Sequence, residues 1–392
     1  MAATVLETGV DGEESSQSES KLLPVSVIVE HILPLLDRVS RNRLCSTYKE
    51  LHAASRKVHT PWPFKRRGLH TALGDDIYSV AFSPSSELLA SGGSDRIIRI
   101  WDRADGRFTH LVGHTRTVND LCFSPDEKLL ASASADSTIR LWRLQDRSSR
   151  VLEDHGSGVL SVAFSRDGAT LVSGDCLGNI RLWDVKDARC IRELVDVSIV
   201  GIFAVTFTPD GKTIATAGVR EGEDGEEYGG IFLWDISDAE DISSNTFVDT
   251  HDDIVHSLEY SPDGRYLATG AVKGFRLWNA LALNCAIGMT GNSDPVYSIA
   301  FSPNGRIVAS ASADGSVRLW SVEDGEESCL INLLRHHESD ALSVAFSPDG
   351  QTLASSGRDG TVHLWNPHEE DLKHFKQVNW EKVFLLWNFR TE

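Results

Sequence analysis

Seven tryptophans recur along this chain, at Trp101, Trp142, Trp183, Trp234, Trp278, Trp320 and Trp365, and their spacing limits the fold more than any other feature. Successive intervals are 41, 41, 51, 44, 42 and 45 residues. Each Trp closes a unit, of which His114 to Trp142 is the clearest: HTRTVNDLCFSPDEKLLASASADSTIRLW. Three short apolar runs of strand period lie within it, Val118 to Phe123, Lys128 to Ser134 and Thr138 to Trp142. They are parted by Ser124-Pro125-Asp126 and Ala135-Asp136-Ser137, which are turn residues, so the unit reads as an antiparallel meander. A sheet this small and apolar on both faces needs copies of itself to stack against.

A repeat of about 40 to 45 residues is the period of a four-stranded propeller blade, and only the interval ending at Trp234 exceeds it. The unit endings IRIWD, IRLW, IRLWD, IFLWD, FRLWN, VRLW and VHLWN resemble those of the WD-repeat family. So do the openings FSPSSELLAS, FSPDEKLLAS, FSRDGATLVS, FTPDGKTIAT, YSPDGRYLAT, FSPNGRIVAS and FSPDGQTLAS. Seven aligned units cover residues 68 to 367. The resemblance implies an all-β fold, a seven-bladed propeller over residues 61–367. It also implies that a strand at Gly68 to Ala72, aligned with Arg107 to Val112, completes the last blade and closes the ring. Closure removes the exposed edge that an open array would present.

The family's buried polar network carries over position by position. Blade two has His114, Ser132, Asp136 and Trp142, and blade seven has His337, Ser355, Asp359 and Trp365. The resemblance implies a relay from indole through hydroxyl and imidazole to carboxylate, in which each buried group satisfies the next. Blade one has Leu73 and blade six Asn292 at the His position. Leu177 and Tyr228 stand at the Asp positions of blades three and four, and the fifth turn, Ala271 to Gly274, is one residue short. Blades three to five are therefore expected to rely on apolar packing.

Partner surfaces of the family lie on one narrow face, next to the first strand of each blade. The aligned positions are Tyr78, Asn119, Leu160, Phe203, His256, Tyr297 and Leu342, with Arg358 at a turn. Tyr and Phe are common hot-spot residues, so this ring suits an apolar peptide anchor. Arginine is scarce there, which disfavours a reader of phosphorylated peptides. The long interval is accounted for by GVREGEDGEEYGG, Gly218 to Gly230, read as an acidic loop that is either a partner contact or an ornament.

Outside the repeats, residues 1–20 carry Glu7, Asp11, Glu13, Glu14 and Glu19 with no base, a composition expected to be disordered. Residues 21–60 change character, with apolar stripes at Val25, Val29, Ile32 and Leu36 and at Leu44, Tyr48 and Leu51, both at helical spacing. This α-helical module resembles the F-box. Leu23-Pro24, Ile32-Leu33 and Leu36 match its opening, and Leu44 to Tyr48 stands where its closing helix ends, with Tyr48 in place of Trp. The resemblance implies that Leu23, Pro24, Leu33, Leu36 and Tyr48 dock the adaptor of the SCF ubiquitin ligase while the propeller captures a substrate protein. The alternative is a general scaffold whose helices only cap the fold. Residues 368–392 include Leu372, Phe375, Val383, Phe384, Leu386 and Trp387, a C-terminal extension too apolar to leave in water.

Charge and chemistry narrow the function classes. The net charge is −19, and an acidic propeller repels phosphate backbones, so other proteins are the expected partners and nucleic acid is not. The 6 cysteines show no CxxC pair, and the N-terminus lacks a signal peptide's basic start and apolar core. No run approaches about 18 apolar residues. The expectation is an intracellular protein of cytoplasm or nucleus, free of the membrane, present as one copy within a larger complex. No cofactor and no enzymatic activity are expected. Gly174-Asp175-Cys176-Leu177-Gly178 has the GxCxG shape of a nucleophile elbow but falls on a hairpin turn, and His336-His337 lack metal-ligand spacing.

Overall fold

The computed structural model describes residues 65–67 and 75–366, apart from 105, 197, 223–225, 238–244, 250–253, 273, 281–284, 290–293, 323–329 and 336. The terminal segments 1–64 and 367–392, including the F-box-like positions, lie outside the described residues. Within them 28 strands, numbered β1 to β28 in chain order, form seven four-stranded antiparallel sheets. The first strands of the sheets are β2 (Ile77–Phe82), β6 (Val118–Phe123), β10 (Val159–Phe164), β14 (Ile199–Phe207), β18 (Val255–Tyr260), β22 (Val296–Phe301) and β26 (Ala341–Phe346). Each of these packs against the next, and β26 packs against β2, so the seven blades close into a ring.

Closure uses the two ends of the repeat array. β26, β27 (Leu353–Gly357) and β28 (Val362–Asn366) have no fourth strand of their own, and β1 (Lys65–Arg67) supplies it. Lys65 pairs with Asn366, Arg66 with Trp365 and Arg67 with Leu364. The closing strand thus precedes the expected Gly68 to Ala72, which lies outside the described residues. Arg103 clamps the same joint, 2.9 Å from Asp349 and 2.8 Å from Thr352.

The core is a ring of seven wedges, not one centre. Ala90, Ile98, Ile100 and Leu111 of blade one meet Val118, Leu121, Phe123, Leu130 and Trp142 of blade two, and the pattern repeats around the ring. The last wedge sets Ile77, Val80 and Trp101 against Ala354, Val362 and Leu364 across the closure. All seven repeat tryptophans are at most 4 % exposed. Each lies on a wedge, so the apolar surface a lone meander would expose is buried only between neighbours.

Polar caps stitch the inner strands together. These strands have a free edge, whose N–H groups need acceptors. Ser343 Oγ accepts from Val80 N at 3.2 Å, Ser79 Oγ from Leu121 N at 3.1 Å and Asp120 Oδ2 from Val162 N at 3.0 Å. Ser161, Ser257 and Ser298 do the same for Val205, Ile299 and Val344. Each cap comes from the preceding blade. Blade four has Ala204 at this position, which has no side-chain acceptor to offer blade five.

Candidate functional site

Every blade interrupts the pairing of its first strand at one place. The register between first and second strands shifts across Ile77/Ser79, Val118/Asp120, Val159/Ser161, Ile202/Ala204, Val255/Ser257, Val296/Ser298 and Ala341/Ser343. The residues caught in these bulges are Tyr78, Asn119, Leu160, Phe203, His256, Tyr297 and Leu342, the seven face positions expected from sequence. A bulge bends its strand and re-aims the extra side chain, which is how a ring of side chains is presented at one end of the propeller.

The ring is uneven. Phe203, His256 and Tyr297 form a continuous aromatic arc over blades four to six: His256 lies 5.6 Å from Phe203 and 5.4 Å from Tyr297 between centroids, both edge to face. All three are partly exposed. On the other side the positions are engaged within the fold. Tyr78 Oη donates to Asp76 at 3.2 Å, its pKa raised by burial and then by that carboxylate, and Asn119 Nδ2 donates to Val159 O at 2.7 Å. Leu342 is only 8 % exposed. Arg358, expected on the face, is held by Asp340 at 2.9 Å with Asp76 3.7 Å away, across the joint of blades seven and one.

The expected acidic loop of blade four is mostly ordered ladder. β15 (Thr213–Glu221) and β16 (Glu227–Asp235) extend to nine residues each, pairing Gly218 with Gly230, Val219 with Gly229, Arg220 with Tyr228 and Glu221 with Glu227. β14 lengthens to match, with a second register shift between Ile199 and Gly201. Tyr228 therefore sits in a hairpin ladder, where the alignment had put a turn residue. The extension stands at the bulge end of the blade, with Glu221, Glu226 and Glu227 exposed.

The buried network holds the blades beneath this face. In blade two Trp142 Nε1 donates to Ser132 Oγ at 2.9 Å, Ser132 lies 2.7 Å from His114 Nε2, and His114 Nδ1 lies 2.9 Å from Asp136. Because the indole is the donor to Oγ, the Ser132 hydroxyl proton points to Nε2 and the ring proton sits on Nδ1, facing the carboxylate. Burial lowers the His114 pKa, which keeps that ring neutral. Burial would raise Asp136, but hydrogen bonds from Thr138, Thr115 and His114 outweigh it and hold the carboxyl at about 2. Blade seven repeats the chain: Trp365 to Ser355 at 3.0 Å, Ser355 to His337 at 2.9 Å and His337 to Asp359 at 3.1 Å.

Blade three corrects the reading from alignment. Leu177 is 62 % exposed, and Asp175, two residues earlier, is the network carboxylate. Its Oδ2 lies 2.9 Å from His155 Nδ1, while His155 Nε2 lies 2.7 Å from Ser173 Oγ, which accepts from Trp183 at 2.8 Å. The strand end replaces the turn as the source of the carboxylate, because Leu177 and Asn179 N–H groups then cap it at 3.0 and 2.9 Å. The signal was present: His155 precedes Ser173 by 18 residues, the separation of His114 from Ser132. Asp175 is thus consumed by structure, and the GxCxG stretch is a strand end and turn. Gly178 has φ +86, and a Cβ there would lie 2.2 Å from Ile199 O.

Where the His is replaced, arginine substitutes. Arg99 pairs with Asp95 at 2.6 Å in blade one, and Arg318 with Asp314 at 2.6 Å in blade six, each four residues on. In blades four and five the indole donates to a threonine in place of serine, Trp234 to Thr216 at 3.2 Å and Trp278 to Thr269 at 2.9 Å. In blade seven His337, Asp359 and His363 bring ligand atoms within 4.8 Å of one another. The Thr361 hydroxyl already lies among them, 2.6 Å from Asp359, 3.2 Å from His337 and 3.1 Å from His363.

A ring of seven four-stranded blades, each closed by a Trp–hydroxyl bond, defines the class: a repeat β-propeller. The family described as "WD domain, G-beta repeat" matches residues 68–102, 107–143, 146–184, 243–279, 283–321 and 328–366, more than half of the chain, and the chain belongs to that family. The six matches leave out β13 to β16, so blade four, marked in the sequence by Trp234, is not covered by the matched repeats. None of the curated proteins compared with the chain matches it. Propellers of this family are typically non-catalytic and bind other proteins. Among the described residues no helix is long and apolar enough to cross a membrane.

Proposed function

We propose that this protein is a substrate-recruiting subunit of a ubiquitin ligase, whose propeller captures a protein segment at the bulge face while Leu23, Pro24, Leu33, Leu36 and Tyr48 dock the SCF adaptor, in the cytoplasm or nucleus. The observation that carries the capture half is the aromatic arc Phe203–His256–Tyr297, three neighbouring rings turned outward by bulges at one end of the ring. Large rings with few rotatable bonds bury much area at little entropic cost, which is why they dominate protein interfaces. The docking half rests on the F-box-like residues of the sequence. The test is binding of the full chain to purified SCF adaptor, with Leu33→Asp and Tyr48→Asp as controls. Micromolar or tighter binding that both substitutions abolish supports recruitment to the ligase. Absence of binding by a folded chain leaves a general WD-repeat scaffold.

A further inference from the structure

The aromatic arc and the lengthened hairpin of blade four belong to one surface. Phe203 sits in the bulge directly after Ile202, and its ring leans back over Gly201, the Cζ atom 3.8 Å from where a Cβ on Gly201 would stand. Gly201 pairs with Val219, at the root of the extension that carries Glu221, Glu226 and Glu227 outward. The segment Gly218 to Gly230 holds five acids against one base, Arg220, and that base is laid into the ladder opposite Tyr228. An acidic wall therefore rises from the end of a row of aromatic rings.

Two forces act in the same sense there. The faces of aromatic rings attract a cation, and rings set edge to face leave part of each face open to an incoming group. The hairpin carboxylates attract the same charge at longer range and raise the rate of encounter. An anionic segment meets repulsion from both. A neutral apolar segment gains from the rings alone.

We propose that the face of blades four to six recognises a basic segment of a partner protein, inserting a Lys or Arg side chain against the Phe203–His256–Tyr297 arc, with the blade-four hairpin holding neighbouring positive charge. This deepens the capture reading above and rests on it. It differs from that reading in fixing the chemistry of the partner.

The experiment is selection of a random nonapeptide display library on the immobilised full chain, with enriched peptides remeasured by fluorescence anisotropy. Variants Phe203→Ala, Tyr297→Ala, Tyr297→Phe and Glu221→Gln/Glu227→Gln serve as comparisons, each first shown to melt with the wild type. Enriched peptides are expected to carry Lys or Arg at one fixed position. Affinity should fall roughly tenfold with either alanine and be retained by Tyr297→Phe, which keeps the ring. The Glu pair variant should weaken binding mainly at low salt, because exposed charge is screened. Peptides that need Phe203 and Tyr297 but lack a basic position overturn this proposal and leave capture intact. If no enriched peptide depends on the arc, both fall. A peptide matching the chain's own basic stretch Arg38–Lys57, which carries Arg38, Arg41, Arg43, Lys49, Arg56 and Lys57, would overturn the partner assignment in favour of an internal ligand.

Discussion

Blades two and three and blades four and five solve the same packing problem by different means. In the first pair a buried Trp, hydroxyl, His and carboxylate pass hydrogen bonds from the third strand to the turn in blade two and to the end of the second strand in blade three. In the second pair the indole donates to a Thr hydroxyl, 3.2 Å from Trp234 and 2.9 Å from Trp278. The same two blades carry Phe203 and His256 on the face, the long hairpin, and the one missing cap, at Ala204. Where threonine replaces serine and the Ala204 position offers no cap, the surface is most distinctive.

The contrast can be broken by removing its strongest member first. Asp175 is fully buried and accepts bonds from His155 and Asn179, so Asp175→Ala should cost about 3 to 5 kcal/mol in denaturant unfolding, as breaking a buried charged network does. The neighbouring Leu177→Ala should change stability by less than about 0.5 kcal/mol, as exposed positions usually do. Equal effects at the two sites would return the network role to the turn. Asp136→Ala, at a carboxylate less enclosed, is expected to cost about 1 to 3 kcal/mol. Thr216→Val and Thr269→Val remove only one hydroxyl each and should cost about 1 kcal/mol; losses as large as at Asp175 would erase the distinction between the blades.

pH sharpens the same comparison. Asp136 is held at about 2 in the fold and titrates higher when unfolded, so its contribution is present above pH 4 and is lost as pH falls toward 2. Neutral His114 acts in the same direction, since the unfolded ring takes up a proton first as pH falls. Blade five holds the opposite case. Burial pushes Glu259 up to about 8, and its oxygen accepts from Phe301 N at 2.9 Å. The unfolded chain releases that proton near pH 4.5, so stability declines as pH rises from there through about 8. Glu259→Gln should raise the melting temperature at pH 8 and leave it unchanged at pH 4, whereas Asp136→Ala should lower it at pH 7 and have less effect at pH 2.

Much of this was legible in the chain because repeats let each position be read seven times. The Trp spacing marked the blades, including the fourth, whose long interval the family pattern leaves unmatched. The ring of bulge residues was legible for the same reason. Alignment failed where two positions traded a role. Leu177 occupied the carboxylate's place in register while Asp175 took its function from the strand, and only distance between side chains settles such an exchange. The approach of Arg358 to Asp76 across the joint of blades seven and one was hidden too, since it depends on which ends of the chain meet. The acidic stretch of blade four read as a loop by composition, yet Val219 and Tyr228 continue the ladder because β14 lengthens alongside and gives the strands a third partner.

The three-residue strand Lys65–Arg67 ties the beginning of the propeller to its end, and this dictates the order of assembly. During synthesis β1 emerges first among the described strands and waits until Asn366 has left the ribosome before its partner β28 is complete. Joining ends about 300 residues apart costs on the order of 5 kcal/mol in chain entropy, which the wedges between blades must repay together. The nascent protein therefore passes through an open arc of stacked blades whose two end faces are unpaired. Until the last strand pairs, the apolar faces at the two ends of that arc meet solvent.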